Sequence, residues 1–583
     1  MALNLPVRKI LTEPSIPRGF TIIVYQENNH YYAKDKKGNI ICIDSPTSCL
    51  QEAIDAVKPS GGRVFIKKGT YSVPRTVTVS GDNIEIVGEY PTILGQPDFT
   101  FPILRILDAN NVRVKGLIFD MQASSWKYPR LPIPSANNIQ VVNSKDIEIA
   151  YNILKNAREY SLLVGTYGED NTWQERPCER VWIHHNLVSG GAADGIDITA
   201  SKYVIVENNI VTGTRDDAYA ILSSATNPAE NIIMRSNIAY DHQFSCFKIA
   251  LYYGGVGEYA LNNVIIEGNY CRTTVNEGGG AIAIYYESER VPPDGIGRNI
   301  YILNNIIYTG NVRFHAISIA WNYRNAPNYT FKNIVIRGNY ISAVNDPLDT
   351  STSPPRLKDL YGIWVKNNTK VNGLVIEDNI IERFKKGIFI GINNSAIIRN
   401  NVFRFNFEQA IILWYSRNVE ISNNYIYDNA RHYLNNNTFT PYVVYLESSS
   451  DVVIKNNVFR AGESQTRCIG IYGNSSDILV TDNDLFNGYL LTPIYIDPNA
   501  TDVILRRNRG VATENSGQAT IAVGATSVTV NHGLICTPSK VLITPLAQPP
   551  GPIWVSNITS SQFTIRTSTA PSADLPVAWY AEC

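Results

Sequence analysis

Four aspartates in a short part of the chain have the residue type and spacing for acid–base chemistry. Asp194 and Asp197 stand in the stretch Asp-Gly-Ile-Asp-Ile, and Asp216 and Asp217 begin the stretch Asp-Asp-Ala-Tyr-Ala-Ile. Carboxylates that crowd together raise the pKa of at least one member, so identical side chains become a proton donor and a base. Cleavage of a glycosidic bond needs such a pair. The cluster therefore indicates a candidate site for cutting a sugar chain.

These aspartates lie within an internal repeat of two apolar residues at alternate positions followed by an asparagine. The repeated asparagines, 22 to 40 residues apart, are Asn152, Asn186, Asn209, Asn237, Asn269, Asn305, Asn339, Asn379, Asn401, Asn424, Asn457, Asn483 and Asn508. Each repeat has short alternating apolar stretches, such as Val204 and Val206, and no helical periodicity. Asn tolerates unusual φ at a bend and hydrogen-bonds neighbouring backbone. The pattern predicts an all-β coil, a parallel β-helix in which each strand pairs with the next turn.

Aligning the turns places Asp194 and Asp217 in one column, followed by Ser245, Gly280 and His315. Adjacent strands are about 4.8 Å apart, so the aspartates of neighbouring turns would share one surface patch. Asp-Gly and Asp-Asp are also turn formers. A structural role at the bends, exposure to solvent and a cation site therefore stay open beside catalysis.

The start of the coil is visible in residues 48–71. Residues 48–57 have apolar side chains at helical spacing, Gly61 and Gly62 follow, and the strand after them ends in Gly-Thr-Tyr71. This stretch resembles the opening of the pectate-lyase and phage-tailspike group of proteins. The resemblance implies a right-handed, pectin-lyase-like parallel β-helix with an N-terminal cap helix.

Three segments are expected. Residues 1–45 form an arm and a hairpin, or head, and residues 46–512 form the β-helix. From Gln518 the sequence alternates between apolar and polar residues with turn signals. Residues 513–583 resemble the small β-sandwich modules that terminate some phage tail proteins, with Trp554 and Trp579 as core or interface aromatics.

The short sequence motifs around the aspartates resemble those of the polygalacturonase-type glycoside hydrolases. Asp194-Gly195 and Asp216-Asp217 match two of that family's short catalytic sequence motifs, and they lie one turn apart. The resemblance implies an inverting hydrolase in which Asp217 or Asp194 is the acid and Asp216 is part of the base.

The match then departs from the family. Ser245 stands where the family has a histidine, so His242 is the expected substitute, and Lys248 is expected to bind a substrate carboxylate. A polysaccharide lyase is the alternative: lyases of this fold use a basic residue, here Lys248 or Arg215, with a calcium ion. Apart from that calcium, neither a cofactor nor a metal site is expected.

Aromatic residues on the outward side of the coil and its insertions are candidates for substrate binding. Tyr285, Trp321 and Trp364 can stack on sugar rings. Asp197 and Arg215, beside the cluster, can bond to sugar hydroxyl groups. Packing of these aromatics on the coil or on a neighbouring subunit is the alternative.

Composition excludes some partners. There are 51 Lys and Arg against 52 Asp and Glu, a net charge of −1, so bulk charge does not favour nucleic acid. No apolar run reaches the roughly 18 residues of a membrane span, and a signal peptide is not expected. The eight cysteines predict at most a local bridge between Cys42 and Cys49.

The resemblances imply a tailspike-like protein on a virion surface that binds, and can depolymerise, a polysaccharide of the host cell surface. They also imply a homotrimer whose N-terminal head attaches to other virion proteins. A non-catalytic adhesin or structural fibre is one alternative. A secreted, extracellular polysaccharide hydrolase or lyase of a free-living microbe is another.

Overall fold

The computed structural model describes residues 19–123, 135–169, 172–223, 227–251, 261–273, 280–286, 297–310, 315–322, 329–344, 348–349, 356–357, 360–366, 369–392, 395–429, 442–460, 467–486 and 492–583. The chain divides into two compact units, residues up to 375 and residues from 376.

The first unit opens with three strands and a helix, namely β1 (Ile22–Glu27), β2 (His30–Asp35), β3 (Ile40–Ile43) and α1 (Leu50–Val57). The coil strands that follow are β4 (Gly62–Ile66), β5 (Thr70–Ser72), β6 (Val77–Val79), β7 (Ile84–Gly88), β8 (Thr92–Leu94), β9 (Leu104–Leu107), β10 (Asn110–Lys115), β11 (Ile118–Asp120), β12 (Ile139–Val142), β13 (Lys145–Ala150), β14 (Ile153–Ala157), β15 (Leu162–Val164), β16 (Thr166–Glu169), β17 (Thr172–Glu175), β18 (Glu179–His184), β19 (Leu187–Gly191), β20 (Ile196–Thr199), β21 (Lys202–Glu207), β22 (Ile210–Thr214), β23 (Tyr219–Ser223), β24 (Ala229–Arg235), β25 (Ile238–Tyr240), β26 (Phe247–Leu251), β27 (Leu261–Glu267), β28 (Tyr270–Thr273), β29 (Gly280–Tyr286), β30 (Gly297–Leu303), β31 (Ile306–Thr309), β32 (His315–Asn322), β33 (Tyr329–Arg337), β34 (Tyr340–Ala343), β35 (Leu348–Asp349), β36 (Arg356–Leu357) and β37 (Tyr361–Val365).

Strand β38 (Thr369–Glu377) contains the division between the units. The coil strands of the second unit are β39 (Ile380–Glu382), β40 (Lys386–Ile390), β41 (Ala396–Arg399), β42 (Val402–Arg404), β43 (Ile411–Trp414), β44 (Arg417–Ser422), β45 (Tyr425–Tyr427), β46 (Tyr442–Glu447), β47 (Ser450–Lys455), β48 (Val458–Arg460), β49 (Arg467–Tyr472), β50 (Ser476–Thr481), β51 (Ile494–Ile496) and β52 (Thr501–Arg506). Its last six strands are β53 (Glu514–Ile521), β54 (Ser527–Asn531), β55 (Lys540–Pro545), β56 (Ile553–Ser556), β57 (Gln562–Thr567) and β58 (Leu575–Glu582).

The pairs β16–β17 and β35–β36 form separate two-stranded antiparallel sheets. In each unit, the other coil strands belong in turn to three parallel sheets, here called sheets A, B and C. In sheet C of the first unit, β20 pairs with β23, and β23 pairs with β26. In sheet C of the second unit, β43, β46 and β49 pair in the same way. Alternate side chains such as Ile196 and Ile198 point inward and are fully buried. The predicted all-β parallel coil is confirmed.

The repeated asparagines form a buried ladder at the bend between sheets A and B. The backbone N–H of Asn186 donates to Oδ1 of Asn209 at 2.9 Å, and Nδ2 of Asn186 donates to the carbonyl of Ile149 at 2.8 Å. Similar bonds link the ladder from Asn152 to Asn339 in the first unit and from Asn379 to Asn508 in the second. Each ladder asparagine therefore satisfies polar groups of two neighbouring turns.

The unusual φ predicted for the asparagines belongs instead to the residue before each of them. These positions have φ between 45° and 69° and are Tyr151, His185, Asn208, Ser236, Gly268, Asn304, Gly338, Asp378, Asn400, Asn423, Asn456, Asp482 and Arg507. Asn is favoured at left-handed positions, which explains the recurring Asn-Asn pairs. The first Asn makes the bend, and the second enters the ladder.

The predicted cap helix is α1. It buries Leu50, Ala53, Ile54 and Val57, and it packs against β1, β4 and β6. The helix begins two residues later than expected because Cys49, with φ 62°, is left-handed. Strand β1 pairs antiparallel with β2 and parallel with β4.

Three disulfides are present. The predicted Cys42–Cys49 bridge is one, and Cys246–Cys271 and Cys536–Cys583 are two more. The expectation of at most one local bridge was wrong, because the coil brings Cys246 close to Cys271 and the C-terminal sandwich brings Cys536 close to Cys583.

The last six strands form two three-stranded antiparallel sheets, β53-β58-β55 and β54-β57-β56, which confirms the predicted β-sandwich. Trp579 is buried, with its ring 5.6 Å from that of Phe563. Trp554 is 43% exposed and is not a core residue of the chain. The boundaries 1–45, 46–512 and 513–583 remain predictions. In the described part of the chain, no helix has the length and apolar character to cross a membrane.

Candidate functional site

The bend between sheets B and C positions the acidic cluster. Asp194 lies two residues before β20, and Asp217 lies two residues before β23. Because Ile196 pairs with Tyr219 and Tyr219 with Phe247, the register places Asp194, Asp217 and Ser245 side by side on three consecutive turns.

One carboxylate oxygen of Asp194 and one of Asp217 each accept a backbone hydrogen bond that stabilises the bend. The backbone N–H of Asp217 donates to Oδ1 of Asp194 at 3.0 Å, and that of Ser245 donates to Oδ1 of Asp217 at 2.7 Å. An earlier turn has an amide in the same role, since Tyr160 N–H donates to Oδ1 of Asn137 at 3.2 Å. The structural role left open by the sequence is therefore real for Asp194 and Asp217.

The three carboxylates belong to a crowded set of charges. One oxygen from each of Asp194, Asp216 and Asp217 lies within 4.8 Å of the others. Asp194 and Asp217 are 2% and 0% exposed, whereas Asp216 is only partly buried. Lys248 Nζ lies 3.3 Å from Oδ2 of Asp217.

This environment favours the protonated form of one carboxyl group. Burial raises the pKa of Asp194 well above its usual range, and the charges of Asp216, Asp217 and Asp197 raise it further, although Lys248 acts in the opposite direction. Asp217 has the ammonium of Lys248 beside it, so its negative charge is compensated. Of the two acids suggested by the sequence, the geometry favours Asp194 as the group that carries the proton.

Lys248 and His242 do not have the surroundings expected for their roles. Lys248 pairs with a carboxylate of the protein itself. His242 is 1% exposed, and neither of its ring nitrogens makes a hydrogen bond within the described residues. Burial lowers the pKa of His242 to about 4, and the Tyr240 backbone opposes only part of this effect. The structure therefore brings Lys248 to the cluster, whereas His242 is buried without a hydrogen bond from its ring among the described residues.

Asp197 and Arg215 flank the cluster. Asp197 is buried on β20 and accepts a hydrogen bond from Thr199 Oγ1 at 2.7 Å. Arg215 directly precedes Asp216 and is only partly buried, with its backbone N–H bonded to the Gly191 carbonyl at 2.9 Å.

Of the three aromatic candidates, Trp364 alone has a described side chain. The backbones of Tyr285 and Trp321 pair in sheet C, but their side chains lie outside the described part of the chain. Trp364 is partly exposed, and its ring lies 4.5 Å from that of His315. It shares an outward column with Lys248, three strands away, at a distance of about 14 Å.

His315 was not chosen from the sequence as a site residue. It is 6% exposed, it continues the column of Asp217 and Ser245, and it also contacts the Tyr361 ring at 4.8 Å. Its position in the aligned column was the available signal. The contact with Trp364 depends on side-chain directions that alignment does not give.

His184 and His185 are adjacent in the sequence, and their rings contact each other. Alternation along a strand predicts opposite faces for them. Instead their Nδ1 atoms lie 2.9 Å apart, because β18 ends at His184 and His185 has a left-handed backbone.

The acidic cluster does not fit calcium. Calcium takes six to eight oxygen ligands, and here the Asp194 and Asp217 Oδ1 atoms accept backbone hydrogen bonds. The Lys248 ammonium already supplies a positive charge 3.3 Å from Asp217.

Comparison with known proteins identifies the fold. A family model described as a right-handed β-helix region matches residues 356–524. The tailspike protein of E. coli bacteriophage HK620 in complex with pentasaccharide aligns over 94% of this chain and 92% of its own, with 12% identity and a TM-score of 0.52. The chain has a tailspike-like, right-handed β-helix fold. A double mutant of the HK620 tailspike aligns over the same shares with 12% identity and a TM-score of 0.53. No curated protein sequence matches the chain.

Proposed function

We propose that this tailspike-like protein binds a polysaccharide of a host cell surface and hydrolyses it at Asp194, Asp216 and Asp217. The observation that carries the proposal is a buried carboxyl group with a raised pKa beside a partly exposed carboxylate. The similarity in fold to a tailspike supports the choice of a surface polysaccharide, since one such tailspike is described in complex with a pentasaccharide.

In the proposed reaction, Asp194 gives its proton to the glycosidic oxygen as the bond to the anomeric carbon breaks. Asp216, the most accessible of the three, removes a proton from a water molecule that attacks this carbon. Lys248 lies 3.3 Å from Asp217 and offsets its charge, and the charge of Asp217 contributes to the raised pKa of Asp194. One oxygen of each carboxylate lies within 4.8 Å of the others, closer than the roughly 6.5–9.5 Å typical of inverting glycosidases. NMR of the first product therefore tests the inversion that the sequence resemblance implies.

The remaining assignments extend the same proposal. Trp364 stacks on a sugar ring beside His315, and Asp197 and Arg215 bond to hydroxyl groups near the cluster. The protein is proposed to act on a virion surface as a homotrimer, with its N-terminal head bound to other virion proteins. The similarity in fold to a tailspike supports these roles.

The test is release of reducing ends from a panel of bacterial surface polysaccharides. We expect the chain to cleave at least one, and the Asp194→Asn and Asp216→Asn variants to lose at least a hundredfold in rate. Asp477→Asn is the matched control because Asp477 is an exposed aspartate at a left-handed bend with φ 55°. Equal rates in all four proteins would contradict hydrolysis at this cluster.

A non-catalytic adhesin or fibre is the second candidate. The hydrogen bonds that Asp194 and Asp217 accept from the next turn favour it, because they give both residues a structural role. Binding of a polysaccharide without cleavage would support this candidate. The three disulfides fit the third candidate, a secreted hydrolase or lyase, because such bridges persist in oxidising surroundings. An ultraviolet-absorbing unsaturated product would identify a lyase.

A further inference from the structure

Four tyrosine rings lie together on sheet C of the second unit. They are Tyr442, Tyr445, Tyr472 and Tyr495, here called the tyrosine platform. Neighbouring ring centroids are 4.9 to 6.1 Å apart, and the hydroxyl groups of Tyr442 and Tyr472 form a hydrogen bond. Tyr442 is 3% exposed, whereas the other three are only partly buried. Such a surface presents aromatic rings that are already held in place.

A glycine makes the platform continuous. The register places Tyr445, Gly470 and Tyr495 side by side on β46, β49 and β51. A Cβ at position 470 would lie 2.4 Å from Cδ1 of Tyr442, so the Tyr442 ring covers this glycine. That ring fills the gap between Tyr445 and Tyr495. The platform is therefore built by packing of the rings on one another and on Gly470.

Opposite charges lie at the platform. The Arg467 guanidinium is 5.1 Å from the Tyr495 ring centroid and 5.9 Å from that of Tyr442. Arg467 Nε is buried and has no hydrogen-bond acceptor among the residues described. Tyr445 donates its hydroxyl proton to Glu447 Oε2 at 2.5 Å. One positive and one negative group balance each other, and both can bond to sugar hydroxyl groups.

An exposed tryptophan extends this surface. Glu447 pairs with Trp414 on one side and with Tyr472 on the other. Trp414 is 40% exposed. Strands β43, β46, β49 and β51 together span about 14 Å. The aromatic surface is therefore longer than one sugar ring.

We infer that the tyrosine platform is a second glycan site, which binds a neutral oligosaccharide of pyranose sugars. Sugar C–H groups stack on the aromatic rings, and Arg467 and Glu447 bond to hydroxyl groups. The balanced charges give no preference for an acidic sugar. The inference rests on the proposed class of ligand, but not on cleavage at Asp194.

The test measures binding by the full chain carrying Asp194→Asn, so that the probes are not consumed. The probes are neutral hexasaccharides of glucose, mannose, galactose, rhamnose and N-acetylglucosamine, with a hexuronate as the acidic comparison. At least one neutral probe is expected to bind. Adding Tyr472→Ala or Tyr495→Ala is expected to weaken that binding at least tenfold.

Tyr425→Ala is the matched control, because Tyr425 is a 45% exposed tyrosine on sheet B of the same unit. It is expected to leave affinity unchanged. If an alanine variant unfolds, Arg467→Met decides in its place. Binding by none of the neutral probes, preference for the hexuronate, or unchanged affinity in the platform variants would overturn the inference. Cleavage by the unmodified chain is scored separately, so failure here differs from failure of the proposed function.

Discussion

Lys248 Nζ lies 3.3 Å from Asp217 Oδ2, and the two side chains are only 10% and 0% exposed. A buried carboxylate keeps its charge only with such a partner. The pair therefore links the stability of the bend to the electrostatics of the candidate site.

Removal of the lysine should be costly. Lys248→Met is expected to lower the free energy of unfolding by about 3–5 kcal/mol, because it leaves a buried charge without its partner. Urea denaturation measures this change. Adding Asp217→Asn should restore most of the loss, whereas Lys455→Met, which removes an exposed pair with Glu420, should cost about 1 kcal/mol or less. Equal losses for the two lysines would argue against the pairing.

The asparagine ladder should be intolerant of truncation. Asn209→Ala removes the acceptor of the Asn186 N–H and the donor to the Ile183 carbonyl. We expect a loss of about 3 kcal/mol, since buried polar groups are left unsatisfied. The urea midpoint of Asn208→Gly should change little, because φ is 55° at that position and glycine accepts it. A similar midpoint shift in both variants would contradict the ladder's role.

His242 should make stability sensitive to acid. Its pKa falls from 6.5 in the unfolded chain to about 4 in the fold, so the unfolded state binds the proton more tightly between these values. The contribution of the neutral His242 ring to the free energy of unfolding is fully present above pH 6.5. It is lost as the pH falls to 4, a change of roughly 3 kcal/mol. His242→Phe should show a smaller difference in unfolding free energy between pH 7 and pH 4. The same difference in both proteins would exclude His242 as its source.

The C-terminal β-sandwich should not be needed for cleavage of the polysaccharide. A chain that ends at Arg509 keeps every candidate catalytic residue, so any cleavage activity and the β-rich circular dichroism spectrum should persist. It loses Thr513, whose Oγ1 accepts the Asn508 N–H at 3.4 Å, and aggregation is therefore expected to rise. Loss of the β-rich spectrum throughout would mean that the module is integral to the coil.

The coil could be predicted from the sequence because its signals are periodic. The Asn209 position recurs from Asn152 to Asn508, and alternating apolar residues fix which face is buried. The same alignment put Asp194 and Asp217 on adjacent turns, since parallel pairing carries one turn's register to the next. The coil and the alignment of these two aspartates both depend on backbone geometry alone.

Other contacts could not be predicted because they depend on departures from that geometry. Tyr442 lies on an inward-facing position of β46, yet its ring covers Gly470 on the outer face. The Cys246–Cys271 bridge and the His184–His185 contact likewise depend on where bends begin. The raised pKa of Asp194 required knowledge of how completely the bend is buried.

The direction of the ladder makes the two ends of the coil chemically different. Within each unit, the backbone N–H of one ladder asparagine donates to Oδ1 of the ladder asparagine on the following turn. A coil that stops short of that following turn therefore ends with a donor that lacks its acceptor. Thr513 Oγ1 supplies the acceptor for Asn508 and ends this dependence. Folding can thus proceed turn by turn, each new turn templated by the one before, and the growing end stays open to pairing with another chain until Thr513 arrives.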